Sequence, residues 1–294
     1  MTIKINIRNI FFVSASLLLL SCNTDEKQTV TTKFNLVFED EFDVNGTPDA
    51  TKWSFDIGRG PLNDGWGNNE KQFYKSENAI VQNGYLIITA QSEAIGGVNY
   101  TSARIKSRNK FEQKYGRFEA RIKLPQGKGM FPAFWLLGEN FCEAQTQVDN
   151  SVICDSALPN YEEGNVLWPQ CGEIDIMEYL GSKPTEVFGT IHGPGFAGGN
   201  SISKKYNLPN NRFDNGFHVF GVEWTENHIN WYVDDVLYNQ ITRSQVEEKG
   251  GQWVFNNSFY MLLNLAVGGN LPGNPDATST FPQRMIVDYV KVYR

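Results

Sequence analysis

The chain is poor in the residues that build metal centres. It has four cysteines and three histidines among 294 residues. No C-x-x-C pair occurs, and His192, His218 and His228 are scattered, so a zinc site is not expected. A basic excess is also missing. The formal net charge is -7 and the pI about 5.1, which argues against nucleic acid, whose recognition needs a basic face. A strongly anionic polymer would be repelled as well unless local basic patches received it. A neutral ligand is the simpler expectation. Helical periodicity is nearly absent; only "RSQVEEKG", 243–250, has room for a turn or two, stopped at Gly250. There is no internal repeat, no second linker and no low-complexity block. What is present is a globular composition, 13% aromatic and 20% charged. The length suits one large all-β domain or two average ones.

The single long apolar run, "IFFVSASLLLL" at 10–20, is too short to span a bilayer. Preceded by Lys4 and Arg8, it reads as the core of a signal peptide. "LLSC" resembles a bacterial lipoprotein box, so cleavage is expected before Cys22, which would then carry lipid. Residues 1–21 would be the signal peptide and 22–32 a polar tether to a domain at 33–294. The plainer alternative is an ordinary signal peptide with an incidental cysteine. The expected location is the cell envelope, at the outer membrane or cell surface, with the lipid anchor as the only membrane contact. Without Cys22 the cysteines are Cys142, Cys154 and Cys171, an odd number. Export permits a disulfide. Cys142 and Cys154 bracket a polar stretch and are the expected pair, with Cys171 a buried, free thiol.

The dominant period is two. "YGRFEARIKL", 115–124, sets Phe118, Ala120, Ile122 and Leu124 against Glu119, Arg121 and Lys123, a strand with one dry and one wet face. "NGYLIITAQ", "FHVFGVEW", "HINWYVDDVLY" and the terminal "MIVDYVKVYR" read alike, and Asp234-Asp235 marks a tight hairpin. Many strands separated by Gly, Asn, Asp and Pro indicate a β-sandwich or barrel in one domain.

One stretch breaks the pattern. "WPQCGEIDIMEYLG", 168–181, places Glu173, Asp175 and Glu178 within six residues, with Ile174, Ile176 and Met177 between them. Like charges this close repel, and one should hold its proton more tightly than normal. On a strand, Glu173 and Asp175 share a face while Ile174 and Ile176 turn to the core. Glu178 has the wrong parity. An inserted residue at Ile176–Met177, a β-bulge, would restore it. Two carboxyls about 5–5.5 Å apart are what a retaining glycosidase needs, one as nucleophile and one as acid/base. The competing readings are a calcium cage, which usually draws on a loop, and an acidic surface strand.

The ordered segments "LVFEDEFD", "GWGNNEKQFY", "ENAIVQNGYLIITAQ", "TSARIKSRNKFEQKYGRFEARIKLP", "GMFPAFWLLG", "TIHGPG" and "LLNLAVGGNLPG", together with the carboxylate motif, resemble glycoside hydrolase family 16. The E-I-D-I-M-E form is similar to its bacterial laminarinase-type endo-β-1,3-glucanases. The resemblance covers nearly the whole domain. It implies an all-β, concanavalin-like jelly roll with a concave cleft. It makes Glu173 the nucleophile, Glu178 the acid/base and Asp175 their helper. Asn69, Glu70, Arg104, Trp135, Trp168 and His192 become substrate contacts, although each has a structural reading too. Asp288, with backbone from Glu39 and Gly84, matches a calcium site of some members, and an ordinary surface aspartate is the alternative. No cofactor is needed for the chemistry, the partner is a polysaccharide, and a monomer is expected.

Two departures from the family are visible. Phe131 stands where Trp is frequent. The connection at 139–170 is longer than usual, and a loop that long beside the motif is expected to wall one end of the cleft. Rival functions are a family relative acting on mixed-linkage glucan, agarose or a carrageenan, and a jelly roll that binds sugar without catalysis.

Overall fold

The computed structural model describes residues 35–149 and 151–294. The signal peptide, Cys22 and the tether lie outside these residues.

Two mostly antiparallel sheets stack face to face. The ten-stranded sheet runs Val236–Thr242, His228–Val233, His218–Trp224, Gly116–Lys123, Gln283–Tyr293, Tyr85–Ile95, Val98–Ser102 and Gln72–Tyr74. Leu36–Asp40 and Ala79–Gln82 pair to its side. The eight-stranded sheet runs Ile202–Asn207, Glu186–His192, Glu173–Tyr179, Met130–Gly138, Phe259–Val267, Arg104–Lys106 and Ser54–Asp56, with Glu112–Gln113 on Phe259–Val267. Hairpin neighbours alternate with pairings between distant parts of the chain, such as Gly116–Lys123 with His218–Trp224 and Met130–Gly138 with Phe259–Val267, the crossed connectivity of a jelly roll.

The alternation seen in the sequence builds the core. Phe118, Ala120 and Ile122 from one sheet meet Phe134, Leu136, Ile174, Ile176 and Met177 from the other, all buried. The hairpin at Asp234-Asp235 has both residues at positive φ, 50° and 63°, the geometry of a two-residue turn matched to strand twist. The one described α-helix, Arg243–Glu248, begins with Thr242 and Gln245 capping each other, and Gly250 follows at φ 79°.

One expectation needs correction. The polar face of Gly116–Lys123 is not wet throughout: Arg117 and Glu119 are buried. Arg117 donates from Nε to Glu119 at 2.7 Å and from Nη2 to Asp235 at 2.8 Å, and lies over the Tyr232 ring. Pairing makes their burial tolerable, where an isolated charge would not be.

The 139–170 segment is not an open loop. Gln145–Val148 pairs with Ser151–Cys154 in a small sheet of its own, and Cys142 and Cys154 are disulfide-bonded across 12 positions. Phe141 and Val166 pack on Leu137, Cys171, Tyr260 and Leu262. Closing a loop of this length removes unfolded-state entropy equivalent to about 3 kcal/mol. The double variant Cys142→Ser/Cys154→Ser should therefore unfold at lower denaturant with a loss of up to about 3 kcal/mol. Cys171 is buried, and burial pushes its thiol pKa up. A maleimide should label one thiol of the mature domain, and only after unfolding; labelling of the native protein would show that the segment opens.

Candidate active site

Parity decides the site. Asp175 pairs with Thr190 and Glu178 with Phe188, yet two residues, Ile176 and Met177, lie between the first pair and one, Gly189, between the second. The same extra residue appears against the other neighbour, where Phe134 faces Met177 and Trp135 faces Asp175. This is a bulge at Ile176–Met177. Both bulged side chains enter the core. Glu173, Asp175 and Glu178 are left together on the outer face of the sheet.

The bulge is held from the other sheet. Trp231, fully buried, donates from Nε1 to the backbone carbonyl of Asp175 at 2.8 Å. That satisfies a backbone acceptor beside the interrupted ladder. Gly189 makes room for it: a Cβ there would lie 2.4 Å from Trp231 Cδ1 and 2.5 Å from the Tyr238 hydroxyl.

Around the carboxyls the partners are specific. Trp168 donates from Nε1 to Glu173 Oε2 at 3.1 Å. Thr190 donates to Glu178 Oε2 at 2.7 Å. His192 Nε2 sits 3.3 Å from Asp175 Oδ2 and 3.6 Å from Glu173 Oε1. His192 Nδ1 accepts the Gly198 N–H at 3.1 Å, so a neutral imidazole carries its proton on Nε2, beside the two carboxyls but hydrogen-bonded to neither.

Burial, and after it the charge of Asp175, pushes the Glu173 carboxyl up to about 8, while His192 and the Trp168 N–H favour its charged form. Asp175 is raised well above the usual carboxylate range by burial and then by Glu178. Glu178 is raised by burial, against the Thr190 hydrogen bond and His192. The cluster thus retains protons that free carboxylates would lose.

The other expected contacts divide. Arg104 stacks its guanidinium 3.9 Å over Trp66 and lies 5.6 Å from both Trp135 and Tyr74, while its Nε binds Asp56 at 2.6 Å. Trp135 is itself fixed by a 2.7 Å bond to Asn264. Across the sheet Glu178, Ala133, Asn264 and Arg104 fall in one register row, so this cation–aromatic platform continues the carboxylate face. Glu70 is buried, accepts from Gln72 at 2.6 Å and Tyr74 at 3.2 Å, and supports the platform from beneath. Asn69 is exposed and receives Lys71 Nζ at 2.8 Å. Trp168 remains 39% exposed, open for stacking on a ligand. Phe131 is buried with Leu180 and Ala266, so it offers no free ring face.

Sequence reasoning missed Trp66, Asn264 and Thr190. Trp66 lay in a quoted segment beside Asn69 and Glu70. Thr190 stands two residues before His192, and the period of two places both on one face.

Two members of the expected calcium set meet cationic side chains of the protein itself. The Glu39 carbonyl accepts Lys52 Nζ at 2.8 Å, and the Asp288 carboxylate binds Arg121 at 2.5 Å. Glu173, Asp175 and His192 do bring ligating atoms within 4.8 Å of one another, but they belong to the carboxylate site itself.

The family model for "Glycosyl hydrolases family 16" matches residues 67–291. A "Beta-glucanase" of Rhodothermus marinus is 37% identical over 100% of this chain and 97% of its own length. The laminarinase catalytic domain of Thermotoga maritima superposes with a TM-score of 0.78 at 44% identity, over 90% of this chain and 99% of that one. An endo-β-1,3-glucanase of Pyrococcus furiosus gives 0.77 at 43%, over 88% and 94%.

The raised Glu173 has a consequence for stability. A carboxyl whose folded pKa exceeds its unfolded value stabilises fully below the unfolded pKa, and that contribution is lost as pH rises through the folded one. For Glu173 the window runs from the model-peptide value of 4.5 to about 8. Glu173→Gln cannot titrate there. Its thermal midpoint should gain on the parent's from pH 4.5 to 8, by the equivalent of a few kcal/mol at about 1.4 kcal/mol per unit, then level off. Thermal scans at pH 4, 6, 8 and 9 check this; a difference independent of pH would remove the assigned cause.

Proposed function

The chain belongs to glycosyl hydrolases family 16, and from that premise we propose that it cuts β-1,3-glucan internally, with retention, through a glycosyl-enzyme intermediate. The observation that carries the reading is the bulged strand, which brings three carboxyls to one face, with Trp168 donating to Glu173 and Thr190 to Glu178. Glu173 attacks the anomeric carbon in its carboxylate form, which His192 and the Trp168 N–H favour against burial. Glu178 gives its proton to the departing glycosidic oxygen. In the second step Glu178 takes a proton from water, whose oxygen displaces Glu173 from the anomeric carbon. Asp175 lies between them, and its proton affinity follows the charge of Glu178, so it buffers the pair as Glu178 changes state. Trp168 and Trp135 offer ring faces to the sugar, with Arg104 fixing the second of them.

A sulfated galactan is disfavoured. The net charge is -7 and the site is itself acidic, so an anionic chain would approach against repulsion. A binding module without catalysis has no use for three buried carboxyls whose proton affinities are all raised. Calcium has no part in this reading.

The lipoprotein box supports export and anchoring at the cell envelope through Cys22, with a monomeric domain on the 22–32 tether. Cys22→Ala should move the protein from the membrane to the soluble fraction; unchanged membrane association would exclude lipid as the anchor.

Reducing-end release is expected from laminarin, less from lichenan, and none from agarose or carrageenan. Glu178→Gln should lower turnover on laminarin by about 10²- to 10⁴-fold, and Glu173→Gln at least as much, both folded. Near-normal turnover in either would reassign the chemistry.

A further inference from the structure

Glu178 must hold a proton in the first half of the cycle and release it in the second, so its proton affinity has to be set by something that does not leave with the sugar. Thr190 is 3% exposed and donates its hydroxyl to Glu178 Oε2 at 2.7 Å. A hydroxyl has one proton. Having given it to Glu178, Thr190 can only accept from its other neighbour, the Ser203 hydroxyl at 2.9 Å. Asp175, Thr190 and Ser203 are register partners across three successive strands, so the sheet ladder itself fixes these contacts.

The geometry points to a two-hydroxyl relay, Ser203 to Thr190 to Glu178, that sets the proton affinity of the acid/base. It rests on the assignment of Glu178 as acid/base. With Glu178 charged, both hydroxyls point toward it, and a hydrogen bond to an ionised acceptor is about twice as strong as a neutral one. With Glu178 protonated, the relay reverses and donates outward, at ordinary strength. The difference favours the carboxylate. Other groups act on Glu178 as well: Asp175 and Glu173 on its own strand, His192 on the neighbouring one, and Tyr238 from the opposite sheet. The charges of Asp175 and Glu173 change with pH, whereas the hydroxyls carry none. Thr190 and Ser203 are therefore positioning residues, acting through Glu178.

The alkaline limb of kcat/KM on laminarin reports the free enzyme's acid. Thr190→Val should move that limb upward by about half a unit to one unit, the difference between a hydrogen bond to a charged acceptor and one to a neutral acceptor. Thr190→Ser, which keeps the hydroxyl, should restore it. Ser203→Ala should move it the same way by less. A limb unmoved in Thr190→Val, or moved equally in Thr190→Ser, overturns the relay. If Thr190→Val does not fold, Ser203→Ala on the exposed edge strand decides alone, and an unmoved limb there overturns it. Glu178→Gln, measured beside them, separates the two failures: its loss of turnover keeps the acid/base assignment even where the limb stays still.

Discussion

The hydrogen bond from Trp231 to the carbonyl of Asp175 is the contact on which the site depends. A regular strand would send Glu178 into the core, where an unpaired carboxylate is untenable. The bulge prevents this but interrupts the ladder, and the carbonyl beside it needs a donor. The donor comes from the opposite sheet, through a side chain buried between the layers. Gly189 is the corresponding sacrifice on the next strand, since any side chain there would meet Trp231. Catalytic geometry is thus referred to the packing of the two sheets and not to a loop.

The face so formed has two electrostatic regimes. On one side burial raises the proton affinity of three carboxyls, with Glu178 raising Asp175 and both raising Glu173, relieved by N–H and O–H donors. On the other, Asp56 is held below the usual carboxylate range by Arg104 and Lys106, although burial opposes them. Arg104 spreads its charge over aromatic rings. A neutral polymer can lie across both; an anionic one would be drawn to the second and driven from the first.

Much of this was legible because it depends on short-range pattern. The parity of Glu173, Asp175 and Glu178 announced both the shared face and the need for an extra residue. Asp234-Asp235 announced the hairpin, and Gly250 the end of the short helix. What could not be read depends on register between strands far apart in sequence. Nothing local says that Thr190 meets Glu178, that Trp231 reaches Asp175, or that Arg117 and Glu119 are covered by Asp235 and Tyr232. Glu70 and Arg104 were found as site residues, but only packing shows that Glu70 works from beneath. Inside 139–170 the Cys142–Cys154 cross-link was legible from the cysteine spacing, but the hairpin it closes was not: polar composition reads as loop until a cross-link and a few apolar contacts order it.

The 139–170 segment is tied down at its neck by Glu143, whose carboxylate binds Lys106 and lies 3.3 Å from Arg108; Lys106 in turn binds Asp56 at 2.8 Å. Its own fold is closed by the disulfide; it also meets the sheet through the Phe141 and Val166 side chains and, at its first residue, through the Glu139 N–H to the Ser258 carbonyl. None of these contacts involves the bulge, Trp231 or Gly189. The part of the segment before Trp168 is therefore separable from the strand that carries the carboxyls, whereas Trp168 at its end is bonded to Glu173 and belongs to the site. The scaffold keeps its reaction on backbone geometry and draws a single side chain of this segment into it.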